Sequence, residues 1–350
     1  MSTSALGGCD GRATDSASAC SQNATLTYPP GMQVIERGWV SSNSIVFADP
    51  ADADGSSGGA EGAIGTIGTI GSVVDTGYVR HAAQTVELVR HALAGAPLKR
   101  IVNTHTHSDH IGGNAALRAA WPEVNITIPA GDAGIVSRWD ETALHLSTMG
   151  QECERFEFDA TYTDADVLML GGLSWRAIGS PGHHMASLML YSEQARILIS
   201  ADALWENGFG VIFPEIDGDP VSQGGAFAAQ RATLEAIATL DVATVIPGHG
   251  APFGNLHAAL DRAQSRLDYF VANPERHARN GLKVTLAFLL MIEQRIGLDA
   301  LPQRLASLPL AARINQDHYQ LEPGPLAEFV VSELEKSAVA RRVDGWLIAR

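Results

Sequence analysis

The sequence predicts a mixed α/β protein of the α+β kind, in which one sheet packs on another and helices cover the outside. Three observations carry this expectation. Short runs of branched and aromatic residues recur between clusters of Gly, Pro, Asp and Ser, which mark strands and turns. Longer stretches repeat apolar residues at helical spacing. Hairpin-like strands come early, further β elements come later, and the helices lie at the periphery of both.

The elements follow in order. Residues 1–25 are Ser, Ala, Gly and Thr with almost no large apolar side chains, so they read as a flexible tail. Residues 44–48 form a strand, and 50–62 a Gly/Asp/Ser loop. A short Ile-Gly-Thr repeat from Ile64 leads into Ser72-Val73-Val74, a strand that stops at the sharp turn Asp75-Thr76-Gly77. Asp75 is expected to brace that turn; support of a neighbouring metal ligand is its other reading. A helix over 79–94 places Val79, Ala82, Ala83, Val86, Val89 and Leu93 on one face. The strand at 100–103 is followed by a helix at 113–121 that stops at Pro122 and by a strand at 124–128. Helices are expected through much of 132–155. Strands at 167–170, 173–178, 187–191 and 197–200, a helix at 222–240 and a strand at 243–246 complete the main body. Beyond residue 275 the spacing predicts helices at 282–296, 298–308 and 325–337, then a hairpin over 339–348 turning at Asp344-Gly345. The expected division is a tail at 1–25, a catalytic domain at 26–275 and a helical segment at 276–350.

Composition narrows the class. The 350 residues are 45% hydrophobic and 18% charged, which suits a globular chain with one large domain and an appendage. No apolar run approaches the roughly 20 residues needed to span a bilayer, and the N-terminus lacks a basic region followed by an apolar core. Cys9, Cys20 and Cys153 have no ligand or disulfide spacing, so the expected setting is a reducing cytoplasm. A formal charge of −15 opposes nucleic acid as a partner. The expected partner is a small molecule.

The stretch Thr104-His105-Thr106-His107-Ser108-Asp109-His110-Ile111-Gly112-Gly113 holds four potential metal ligands in six positions, directly after an apolar strand. One His-x-His alone would read as a histidine-rich surface loop; four donors leaving a core strand read as a metal site. In extended chain His105 and His107 share a side, and a helical turn near Asp109 would aim Asp109 and His110 at a second point. Gly112 and Gly113 would let the backbone pass close by. Three further strand ends carry donors: Gly182-His183, Ala201-Asp202 and Gly248-His249. Each is weak alone, and their joint occurrence is the signal.

These residues resemble the metallo-β-lactamase superfamily, in its glyoxalase II and lactonase-like branch, over about residues 30–275. The resemblance implies a four-layer αββα sandwich. It also implies that His105, His107 and His183 hold one metal, that Asp109, His110 and His249 hold a second, and that Asp202 bridges them. The 276–350 segment resembles the winged-helix-like tail of some hydrolases of this superfamily, and with the overall acidity it reads as a lid or homo-oligomer contact rather than a DNA-binding unit. Imidazole and carboxylate suit two zinc ions, with iron or manganese as alternatives. Two metals about 3.5–4 Å apart can share a hydroxide and stabilise developing oxyanion charge, and Asp109 is placed to orient that hydroxide or take its proton.

Departures from the family pattern refine the expectation. The Asp at 202 argues against antibiotic hydrolysis, and His107 stands where a flavodiiron-type oxidoreductase would carry Glu. The expected reaction is hydrolysis of a carbonyl ester, thioester or lactone. A phosphodiesterase, a nuclease or an iron-dependent redox enzyme are the rival readings. Trp205 and Phe209, in the Gly-punctuated loop running from 204 to Pro214, are expected at a substrate wall, with Phe213 adding apolar area. His184 follows His183 and is a substrate contact or a spare histidine. His81, His91, His145, His257, His277 and His318 are expected to be surface or hydrogen-bonded structure. Few cations lie near the motifs, chiefly Arg138 and Arg176, too few to clamp a phosphodiester.

Overall fold

Six strands form the first sheet: β1 (Met32–Ile35), β2 (Ser44–Pro50), β3 (Thr69–Val74), β4 (Leu98–Val102), β5 (Asn125–Pro129) and β6 (Ala160–Tyr162). The computed structural model describes residues 26–50, 69–213 and 223–350; the expected tail, the Gly/Asp/Ser loop beyond residue 50, the start of the Ile-Gly-Thr repeat and Pro214 lie outside them. The strands pair in chain order, antiparallel from β1 to β3 and parallel from β3 to β6. Parallel neighbours require crossovers, supplied by α1 (Ala82–Leu93), then α2 (Ser108–Ile111) with α3 (Asn114–Ala120), then α4 (Ala133–Arg138) and α5 (Leu146–Met149).

The second sheet runs β11-β10-β9-β8-β7, built from β7 (Val167–Leu170), β8 (Leu173–Gly179), β9 (Leu188–Ser192), β10 (Ile197–Ala201) and β11 (Thr244–Pro247). Helices α6 (Gln223–Ala238) and α7 (Leu256–Ala272) cover it. Period-two alternation divides each strand between two cores. Ile45, Phe47, Val74 and Val102 meet Trp175, Leu190, Ile199 and Ile246 between the sheets. Val46, Val73 and Ile101 face the other way, onto Val89, Leu93 and Leu117 of the helices. On the far sheet Met189, Leu198 and Val245 pack outward against Leu234, Ile237 and Leu267. The result is four layers, αββα, as the resemblance implied. Trp175 anchors the centre: it is fully buried, meets Phe47 edge-on at 5.5 Å, and donates its indole N–H to the Leu170 carbonyl at 3.0 Å.

The C-terminal part packs around Leu282, Leu286, Leu290, Leu305, Leu310, Ile314, Val330 and Leu347, a cluster that also takes in Met149 of α5. It comprises α8 (Pro274–Glu293), β12 (Arg295–Gly297), α9 (Leu301–Ser307), α10 (Pro309–His318), α11 (Pro323–Lys336), β13 (Ala340–Val343) and β14 (Trp346–Ala349), with the small sheet ordered β12-β14-β13. Each of its four helices carries Pro in the first turn, where the fixed φ is well suited. The hairpin turns at Asp344 (φ 47°) and Gly345 (φ 80°), both left-handed as a tight turn of this kind demands.

Three expectations are corrected. The helices expected through 132–155 are only α4 and α5, because the chain turns left-handed at Trp139, His145 and Gly150. The helix expected to reach residue 296 ends at Glu293; Gln294 is left-handed and Ile296 enters β12. The stretch 298–308 is helical only from Leu301. Elements β1, β6, α7 and α10 had no expectation in sequence. Among the described residues no helix is long and apolar enough to cross a membrane.

Candidate metal centre

Beyond β4 the chain bends at Thr104 and His105 and is extended at His107 (φ −68°, ψ 148°), the residue that precedes α2. That switch from extended to helical backbone separates the ligand directions. Donor atoms of His105, His107 and His183 lie within 4.8 Å of one another, and so do those of Asp109, His110 and His249. His105, His110 and Asp202 form a third such group that joins the first two. All seven residues singled out in the sequence therefore converge at the ends of β4, β8, β10 and β11. Gly112 and Gly113 do permit close passage: a Cβ at Gly112 would sit 2.3 Å from the Val79 amide nitrogen, and one at Gly113 2.4 Å from the Thr76 carbonyl.

Asp202 spans both halves. Its Oδ2 lies 3.3 Å from His183 Nε2, while Oδ1 lies 3.5 Å from His110 Nε2 and 3.9 Å from His249 Nε2. The loop carrying His249 reaches this carboxylate only because residue 248 has no side chain: a Cβ there would stand 2.1 Å from Asp202 Oδ1. Asn43 fixes the same loop by donating from its side-chain amide to the carbonyls of Pro247 (3.0 Å) and Gly250 (2.8 Å). Its backbone N–H donates to the Gly248 carbonyl, and the preceding Ser42 N–H donates to that of Asp109.

Hydrogen bonds at the outer ring nitrogens orient the histidines. His183 Nδ1 donates to the Val211 carbonyl at 2.6 Å, and His110 Nδ1 donates to Asp75 Oδ2 at 2.8 Å, so each turns Nε2 toward the centre. Asp75 thus does more than brace its turn. It also accepts from the Thr104 amide (2.9 Å) and hydroxyl (2.7 Å), which locks the start of the ligand loop. The Trp205 indole N–H donates to Asp202 Oδ1 at 3.2 Å.

Burial, reinforced by the neighbouring imidazoles, holds His105 and His107 well below the usual histidine range, so both are neutral donors. For Asp202, burial alone would raise the pKa, but His110 and His249 outweigh it and keep the carboxylate ionised. Asp109 is likewise held low, by its contact with His249 Nε2 at 3.1 Å against the opposing effect of burial. His110 is raised: burial pulls it down, and Asp75 and Asp202 more than reverse this. The Nε2 atoms of His105 and His110 are buried without a hydrogen-bond partner. Such orphaned lone pairs beside two ionised carboxylates fit divalent cations.

A cavity of about 310 Å³ opens from this cluster. Trp39, Trp205, Phe213, Phe288 and Met291 supply apolar wall, and Asp109 and Asp202 face it from the cluster. Of the expected substrate residues, Trp205 lines the cavity. Phe209 does not; it is 1% exposed in the core beneath. His184 sits behind the cluster, its ring 5.0 Å from His107 and its Nε2 3.7 Å from Asp132 Oδ2. His145, expected to be structural or on the surface, joins that rear group with its ring 5.7 Å from His107. Arg138 and Arg176 are exposed and line no part of the cavity. Trp39 (stacked on His249 at 5.8 Å), Asn43, Arg266 and the α8 side chains carried no motif, so sequence spacing had no means of finding them.

A sandwich with seven histidine and aspartate donors gathered at one edge of its sheets defines a metal-site protein of the αββα class. The family described as the metallo-beta-lactamase superfamily matches residues 68–249, just over half of the sequence, and the chain belongs to that family. Among curated proteins it is similar to the hydroxyacylglutathione hydrolase of Thermosynechococcus vestitus, 32% identical over 133 residues, covering 38% of this chain and 44% of the relative. The enzyme of the same name from Yersinia enterocolitica is 28% identical over 200 residues, covering 56% and 66%. The chain thus spans less than half of the first relative's length and about two thirds of the second's. Among solved structures, a beta-lactamase domain protein from Burkholderia ambifaria aligns with a TM-score of 0.54 at 18% identity, over 93% of this chain and 94% of that one. A metallo-beta-lactamase family protein from Thermus thermophilus gives 0.53 at 15% identity, over 92% and 99%. Both alignments extend over more of the chain than the αββα body alone. Family membership and the donor clusters together assign divalent metal ions to this centre.

Proposed function

We propose that the protein is a binuclear metallohydrolase that cleaves a carbonyl ester, thioester or lactone of a small molecule. The observation that carries this reading is a complete two-part donor set at the mouth of a mainly apolar cavity. His105, His107 and His183 would hold one ion, Asp109, His110 and His249 the other, with Asp202 shared. Zinc is the metal that best suits this mix of imidazole and carboxylate, with iron or manganese as substitutes. Two such ions supply Lewis acidity toward a carbonyl and an activated water.

The chain's own contributions follow from position. Asp109 is ionised and faces the cavity, so it can accept a hydrogen bond from the attacking water, orient it and receive its proton. Trp39, Trp205 and Phe213 offer area to an apolar acyl portion and exclude water around it. The hydroxyacylglutathione hydrolase relatives support a thioester within this class. A phosphodiester is less well served, because the described residues of the cavity wall include one guanidinium and no ammonium. We read 26–275 as the catalytic domain and 276–350 as an appendage that contributes a wall.

Elemental analysis of gently purified protein should approach two metal equivalents per chain. On metal-loaded enzyme, kcat/KM for aryl esters, thioesters or lactones should exceed that for bis-aryl phosphates. Robust phosphodiester turnover with no acyl hydrolysis would overturn the choice of bond.

A further inference from the structure

We infer that Arg266 forms an anion subsite of the cavity, which selects substrates whose apolar acyl chain ends in a single carboxylate. Arg266 projects from α7 and, among the described residues, is the only Arg or Lys lining the cavity that opens onto the metal centre. Its guanidinium lies over the rings of Phe209, at 5.5 Å, and Phe270, at 5.4 Å. These cation–π contacts seat the guanidinium between two rings, which offer it no hydrogen-bond acceptor. Among the described residues it makes no ion pair or hydrogen bond, whereas many of the chain's other arginines do. Burial lowers its pKa from the ordinary value, the sign of a charge placed where water does not fully solvate it. A cation so placed gains from a counter-ion.

The backbone makes room for it. Gly208 has φ +137°, and a Cβ there would stand 3.0 Å from Arg266 Nη1 and 3.1 Å from its Cδ. The loop that begins at Asp202 is thus shaped around this side chain, and the expectation of an aromatic substrate wall at Phe209 becomes an aromatic seat for a cation. The cavity of 310 Å³ corresponds to about ten water volumes. A short acyl chain fills it, with the carbonyl at the metal centre and the far end at Arg266. One guanidinium matches one negative charge, which favours a carboxylate over a dianionic phosphate. The inference takes its substrate from the hydrolase reading, but binding tests it separately.

The experiment uses metal-loaded full-length protein and calorimetry with three anilides of equal chain length, which resist hydrolysis: glutaranilic acid, its primary carboxamide, and the phosphonate in place of the carboxylate. The wild type should bind the acid about tenfold more tightly than the carboxamide, and Arg266→Gln should bring that ratio to about one. Arg266→Lys should retain part of the preference; it also serves if the Gln variant fails to fold. A preference that persists in Arg266→Gln places the carboxylate on the metals and overturns the subsite. Equal affinity of the wild type for acid and carboxamide does so as well, and tighter binding of the phosphonate overturns the choice of carboxylate. Preference in binding without turnover of the matching aryl ester retires the hydrolase reading alone, while turnover without preference retires the subsite alone.

Discussion

The indole N–H of Trp205 donates to Asp202 Oδ1, so this side chain both walls the cavity and fixes the shared carboxylate. Trp205→Phe keeps most of the ring and removes the donor. It should weaken metal retention roughly tenfold in a chelator competition, the scale typical of residues that orient ligands, with KM for apolar esters little changed. Gly248→Ala should be far more damaging, since its methyl would occupy the place of Asp202 Oδ1; metal content near zero with a retained fold, by circular dichroism, is the expected outcome. Asp132 offers a pH test. Burial raises its carboxyl to about 6, against the pull of the Thr106 hydroxyl. A raised folded-state pKa favours the fold below the unfolded value and loses that favour as pH rises through 6. Measured against wild type on metal-free protein, Asp132→Asn should therefore be more favourable at pH 8 than at pH 3, by roughly 2–3 kcal/mol. At this scale the metal donors were legible in sequence, because His-x-His-x-Asp-His and the three lone donors all sit at strand ends. Their supports were not: Asn43, Trp39 and Arg266 reach the site from residues distant in sequence, and nothing in local spacing signals such contacts.

Helix α8 brings Phe288 and Met291 into the cavity, and Phe288 also meets Tyr78 edge-on at 5.5 Å. Phe288→Ala should cost about 3 kcal/mol in urea unfolding, within the range for large buried side chains, and should raise KM for apolar acyl substrates more than it lowers kcat. Strands were the elements read best from sequence, since core strands such as β3, β8, β10 and β11 alternate between two apolar faces and end at or before Gly, Pro or Asp. The region 132–155 was read poorly because its helical spacing is interrupted by left-handed turns at Trp139 and His145, residues that give no warning of such a conformation. Helix α10 escaped because it opens on Pro309, a residue type that ends a helix as readily as it begins one.

The whole molecule should be stabilised by its metals, because the sheets' ends hold ionised carboxylates and unpartnered imidazole nitrogens close together. Chelation should lower Tm, and added zinc should restore it in proportion to the logarithm of its concentration. Acidification should release bound metal, because imidazole and carboxylate donors must be deprotonated to hold it. The αββα architecture was implied by the motifs' resemblance; what the motifs did not convey was that α8 reaches back to the cavity. That arrangement has a consequence for descent. The clustered donors lie at strand ends and one cavity wall lies on α8, so mutation can reshape that wall while the donors stay as they are. A change in what the cavity accepts can then proceed through α8 without altering His105 or Asp202.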